Sequence, residues 1–68
     1  MSNTLKIQGK MREKGETLES LSKSIGISKT SLFNKIHNTT EFLVSEIQAI
    51  RKALDLSEAD VQEYFFAI

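Results

Sequence analysis

Only Ile27 separates Gly26 from Ser28, and this spacing constrains the chain more than any other feature of its sequence. Gly26 follows an apolar stripe at helical spacing, Leu18, Leu21 and Ile25. Glycine commonly stands just past a helix end because it enters the left-handed backbone region with no Cβ penalty. Ser28 is a strong N-cap, as is Thr17 at the start of the preceding segment, where Glu19 complements the helix dipole. The next helix runs from Lys29 to about His37 and turns Leu32 and Ile36 inward. Two short helices joined by so tight a turn must cross steeply.

The rest of the chain has the same helical period and no strand-like alternation. A first helix spans roughly Thr4 to Lys14, carries Ile7 and Met11 on one stripe, and stops at Gly15. Gly9 inside it costs helix propensity and predicts a close approach by another helix. After the polar run Asn38-Thr39-Thr40-Glu41, Ser45 and Gln48 can form a capping box, and Leu43, Ile47, Ile50 and Leu54 fit the buried face of a fourth helix. Ser57, with Asp60 three residues on, opens a fifth, whose inward face is Val61, Tyr64, Phe65 and Ile68. Phe66 lies about 140° from Val61 at 100° per residue and points elsewhere. The expectation is an all-α fold of five short helices in one domain, residues 1–68, with no repeat and no low-complexity linker.

Sixty-eight residues support one modest core, and the absence of Cys excludes disulfides and thiolate metal sites. No apolar run approaches the roughly 20 residues of a membrane helix, and Met1-Ser2-Asn3-Thr4 does not open a signal peptide. A cytoplasmic location is expected, with no membrane partner. The formal charge is zero but unevenly spread. Residues 1–40 hold seven Lys/Arg against three acids, a net of +4, and residues 41–68 hold two against six, a net of −4. That asymmetry permits a polyanion-facing surface without establishing one. His37 is the only histidine, and no nucleophile–base set or Gly-rich phosphate loop is present. Neither an enzyme, nor a metal site, nor a cofactor is expected.

The stretch Thr17 to Ile36, TLESLSKSIGISKTSLFNKI, resembles the helix-turn-helix of the Cro/repressor (XRE-like) family of phage and bacterial DNA-binding regulators. The matching positions are Thr17, Leu21, Ser22, Ile25-Gly26-Ile27, Ser28 and Leu32, with the motif spanning about 17–37. The later run LFNKIHNTTEFLVSEI is similar to the loop and fourth helix of small phage-borne members, so the resemblance covers most of the chain. Ser22 replaces the usual Ala, Asn38 a common Gly, and Leu43 or Val44 a common Thr cap. Asn tolerates the left-handed backbone that a Gly would adopt. The resemblance implies a lambda-repressor-like domain that places its recognition helix, about 28–37, in the major groove of a pseudo-palindromic operator.

On that helix Thr30, Asn34 and His37 face outward, and Lys29 projects from the first turn. Lys donates to guanine O6 and N7, Asn pairs with adenine N6 and N7, and a Thr methyl can touch a thymine methyl. The resemblance assigns Lys29, Thr30 and Asn34 to base edges; the plain alternative for each is a polar residue on a solvated face. Thr17 and Ser28 can serve as caps and phosphate ligands together, since helix N-termini bind phosphate. Lys35, Asn38 and Thr39 are further phosphate candidates, with Lys10 and Lys14 behind them. Phe33, at the edge of the apolar face, is either half-buried against the loop containing Phe42, the favoured account, or touches a thymine methyl.

Operators of this kind call for a two-fold, and Phe66 is the dimer-contact candidate for a weak homodimer tightened by DNA. The alternative function is a protein-interaction module, such as an antirepressor, that keeps the fold but binds another regulator. The acidic second half suits such a basic partner.

Overall fold

The computed structural model describes residues 3–66. They form α1 (Thr4–Glu13), α2 (Leu18–Ile25), α3 (Lys29–Ile36), α4 (Val44–Leu54) and α5 (Glu58–Phe65), with no strand among them. The fold is all-α, as the periodicity predicts.

Side-chain caps set most of the helix starts. The Asn3 side chain accepts the Lys6 N–H at 3.3 Å. Thr17 and Ser20 bond each other's backbone N–H groups at 3.0 and 2.9 Å, and Ser57 and Asp60 do the same at 3.1 and 3.2 Å. Each such cap is worth about 1 kcal/mol because it satisfies amides the helix leaves without partners. The stops are equally local. Gly15, Gly26 and Asp55 follow α1, α2 and α4 with φ of 71°, 79° and 53°. After each, the chain folds back: Glu16, Ile27 and Leu56 donate to the carbonyls of Met11, Ser22 and Arg51 at 2.8, 3.0 and 2.9 Å. In two of these turns the residue after the left-handed one is apolar and packs inward, as such helix ends favour. Leu56 is buried and Ile27 packs against the core.

One cluster forms the core: Ile7 and Met11 of α1, Leu21 of α2, Leu32 and Ile36 of α3, Ile47, Ile50 and Leu54 of α4, Leu56, and Tyr64 and Phe65 of α5. Helix α2 packs on both α3 and α4, while α1 touches α3 and α5. Ser22 is buried in α2, and its hydroxyl donates to the Glu19 carbonyl at 2.8 Å, so the position that resembles an Ala site stays small and satisfied. The Asn3 N–H donates to the Tyr64 carbonyl at 2.6 Å, and Lys6 pairs with Glu63, which ties the start of α1 to α5. No described helix is long and apolar enough to cross a membrane.

Three packing expectations need correction. Gly9 is exposed, and a Cβ built there meets nothing within 4 Å, so no helix approaches it. Helix α4 is not opened by a Ser45–Gln48 box. Leu43 is its N-cap, and the Glu46 carboxylate reaches back to accept the Leu43 N–H at 2.8 Å. Leu43 consequently leaves the apolar stripe and is 60% exposed, because an N-cap with extended backbone (φ −76°, ψ 154°) does not follow helical periodicity. On α5, Tyr64 and Phe65 are buried, Val61 packs against the core from its flank, and Ile68 lies outside the described residues.

Candidate nucleic-acid interface

Helix α3 is anchored from one side. Leu32 and Ile36 are buried in the core, so the opposite face turns outward. Thr30 and His37 are exposed on it and Asn34 is partly so, while Lys29 and Phe33 are exposed at its flank. At 100° per residue, Lys29, Phe33 and His37 form one row and Thr30 and Asn34 the adjacent row. No acidic residue lies in the first turn. The Ser28 hydroxyl accepts the Ser31 N–H at 3.0 Å and keeps its own proton for a second partner.

The start of α2 differs. Thr17 is engaged with Ser20, and the Ser20 hydroxyl donates to Glu16 at 3.0 Å. Glu19 stands in the same first turn, 3.8 Å from Lys23. Two carboxylates therefore share this helix end with Thr17, which makes it a poorer anion site than the start of α3.

After α3 the chain turns through Asn38, whose φ is 60°, the left-handed conformation anticipated for it. The amides of Thr39 and Thr40 fold back on the Asn34 carbonyl at 2.8 and 3.4 Å. Asn38 and Thr39 are thereby exposed at the C-terminal end of α3.

Lys35 departs from its expected role. Its side chain is only 10% exposed, and the ammonium lies 3.0 Å from Glu46 Oε1 and donates to the Glu41 carbonyl at 3.0 Å. A lysine so committed is not available to a phosphate. The same Glu46 oxygen caps Leu43, so one carboxylate ties α3, the 37–43 loop and the start of α4 together.

Other cations are also spent on carboxylates. Lys10 sits 3.3 Å from Glu13, whose hydrogen bond holds its ammonium pKa above the ordinary lysine value. Lys6 pairs with Glu63 and Lys23 with Glu19. Within residues 3–40, Arg12, Lys14 and Lys29 make no ion pair among the described residues. Arg12 was not singled out from the sequence. It lines a groove between α1 and α3 together with Gln8, Phe33 and His37, while Lys29 lines a second groove with Leu18, Thr30 and Phe33. Gln8 and Arg12, four residues apart on α1, carried a helical signal, but only the packing of α1 on α3 brings them beside the exposed row.

Phe33 is half-buried as expected, at 48% exposure, and no ring contact joins it to Phe42 among the described residues. Its ring stacks on His37, with centroids 4.2 Å apart and planes at 42°. Phe42 instead meets Phe65 edge-on at 5.2 Å and 84°, pinning the loop to α5. Phe66 is 52% exposed, consistent with its place off the inward stripe. Among the described residues no group of three or more His, Asp or Glu side chains is placed to hold a metal ion.

No curated protein matches the chain in sequence. A family model described as a protein of unknown function, DUF739, matches residues 2–68. That match runs over nearly the whole chain, and the protein belongs to the DUF739 family.

Proposed function

We propose that the chain is a sequence-specific regulator that binds double-stranded DNA in the Cro/repressor manner, with α3 and its cap, about 28–37, in the major groove of a pseudo-palindromic operator. The observation that carries this reading is the outward face of α3. Lys29 and Thr30 are exposed in its first turn, Asn34 follows one turn later, no acid interrupts them, and Leu32 and Ile36 hold the helix from behind. Lys29 and Asn34 match the hydrogen-bonding edges of guanine and adenine, and Thr30 lies between them. Ser28, Asn38 and Thr39 at the two ends of the helix supply phosphate contacts, joined by Arg12 and more weakly by Thr17. The protein acts as a weak homodimer, with Phe66 as a contact, since two half-sites one turn apart require a two-fold.

A second reading is favoured by the apolar exposure elsewhere. Leu43 and Val44, adjacent at the start of α4, are 60% and 67% exposed. They suit a protein partner better than a phosphate backbone, as in an antirepressor that binds another regulator.

Fluorescence anisotropy of labelled duplexes tiled across the promoter beside the protein's own gene, at two salt concentrations, separates the two. Tight, salt-sensitive binding to one pseudo-palindromic tile, relaxed in specificity by Asn34→Ala or Lys29→Ala, is the expected result. Weak binding indifferent to sequence, even at low salt, refutes the DNA-reading function and leaves the protein-interaction module.

A further inference from the structure

Large apolar side chains cost little when they close a core and need another account when they stand out of it. Phe33 stands half out of it at 48% exposure, one turn into α3, on the flank between the buried Leu32–Ile36 row and the outward Thr30–Asn34 row, where it lines a groove with Met11, Leu18 and Ile36. Phe42, in the loop after α3, turns its ring edge-on to Phe65. The Phe33 ring meets that of His37, one turn on, at a centroid distance of 4.2 Å. Thr30 lies three residues before Phe33, with its Cβ about 5–6 Å from that of Phe33.

A groove-facing helix built for hydrogen bonding alone would have a polar side chain at this position. The major-groove edge of DNA offers one prominent apolar group, the C5 methyl of thymine, and apolar side chains recognise it by contact. Resting on the DNA-reading function above, we infer that Phe33 is a specificity-determining residue that packs against a thymine methyl, with Thr30 closing the contact from the preceding turn. Each half-site then contains a thymine beside the base pairs read by Thr30 and Asn34. The contact adds apolar selectivity to a site whose other readers, Lys29 and Asn34, recognise hydrogen-bonding edges.

The test uses the full chain and the tightest-binding duplexes selected from a randomised pool. Each thymine of a half-site is replaced in turn by deoxyuridine, which removes the C5 methyl and leaves base pairing unchanged. Wild-type protein should lose about fourfold in affinity at one thymine per half-site, the cost of leaving one methyl-sized group unburied. At the remaining thymines the loss should be smaller. In Phe33→Ala that fourfold penalty should fall to nearly one, with the other penalties unchanged, and Phe33→Leu should retain part of it. Circular dichroism confirms that the variants are folded at the binding temperature. Equal deoxyuridine penalties in wild type and Phe33→Ala, or selected half-sites without a recurrent thymine, overturn the assignment of Phe33 and leave the DNA-reading function standing. Selection that enriches no sequence overturns both.

Discussion

The Lys35–Glu46 pair joins the outward helix to the body of the fold, and removing one partner should be the most damaging single polar change. Both side chains are about a tenth exposed, 10% and 11%, with Nζ 3.0 Å from Oε1. Glu46→Ala deletes that contact and the 2.8 Å bond to the Leu43 N–H, leaving the Lys35 ammonium with the Glu41 carbonyl at 3.0 Å. Breaking a fully buried pair costs about 3–5 kcal/mol because a desolvated charge is left behind. The remaining access to water places this case at the lower end, about 3 kcal/mol. A domain of this size has a total stability of only about 3–10 kcal/mol. At 4–8 °C per kcal/mol, the melting temperature should fall by roughly 12–24 °C. Thermal and urea unfolding followed by far-UV circular dichroism measures it. The double variant Lys35→Met/Glu46→Leu should recover most of the loss, since apolar groups of similar volume replace buried pairs at little cost. A fall below about 4 °C for Glu46→Ala would put the pair in the class of surface ion pairs worth under 1 kcal/mol, and would refute the reasoning.

Three further outcomes are expected. With Arg12 and Lys14 outside any ion pair among the described residues in each copy, a DNA-bound dimer neutralises about four phosphates, giving a slope of log affinity against log salt of about −4. Arg12→Ala should make that slope shallower by about two, and the double variant Lys35→Met/Glu46→Leu should leave it unchanged; a shallower slope for the double variant would return Lys35 to the phosphate contacts. Leu43→Ser should raise stability by about 1 kcal/mol in urea titrations, because it supplies the missing N-cap and gives up a side chain that is mostly exposed. Gly26→Ala should lower stability by about 1–2 kcal/mol through backbone strain alone, since φ is +79° and nothing stands within 4 Å of an added Cβ.

Much of the fold was legible because helix starts and stops are local chemistry. Thr17, Ser28 and Ser57 cap by bonds spanning three residues, and Gly15, Gly26 and Asn38 occupy left-handed positions that their residue types permit. Asp55 was missed as a stop, since Asp adopts that backbone less readily than Gly and nothing adjacent marked it. Leu56 was missed as core for a related reason: it lies in a turn, where no period applies, and is buried by the reversal that Asp55 makes possible. The outward placement of Lys29, Thr30 and Asn34 followed from the inward placement of Leu32 and Ile36.

The sequence by itself determined that the chain is helical, where four of the five helices begin, and which face of α3 turns away from the core. These depend on contacts within a few residues and on a period of 3.6. Only the tertiary structure decided which charges are free. Glu46 is eleven residues from Lys35 and on another helix, yet its carboxylate takes the ammonium that helix geometry alone left available. Likewise Phe65 took Phe42 and left Phe33 with His37, and the packing of α1 on α3 brought Arg12 to the groove beside them. Long flexible side chains at the edge of an apolar face have several rotamers of similar energy, and the partner that the fold brings within 3–5 Å selects among them.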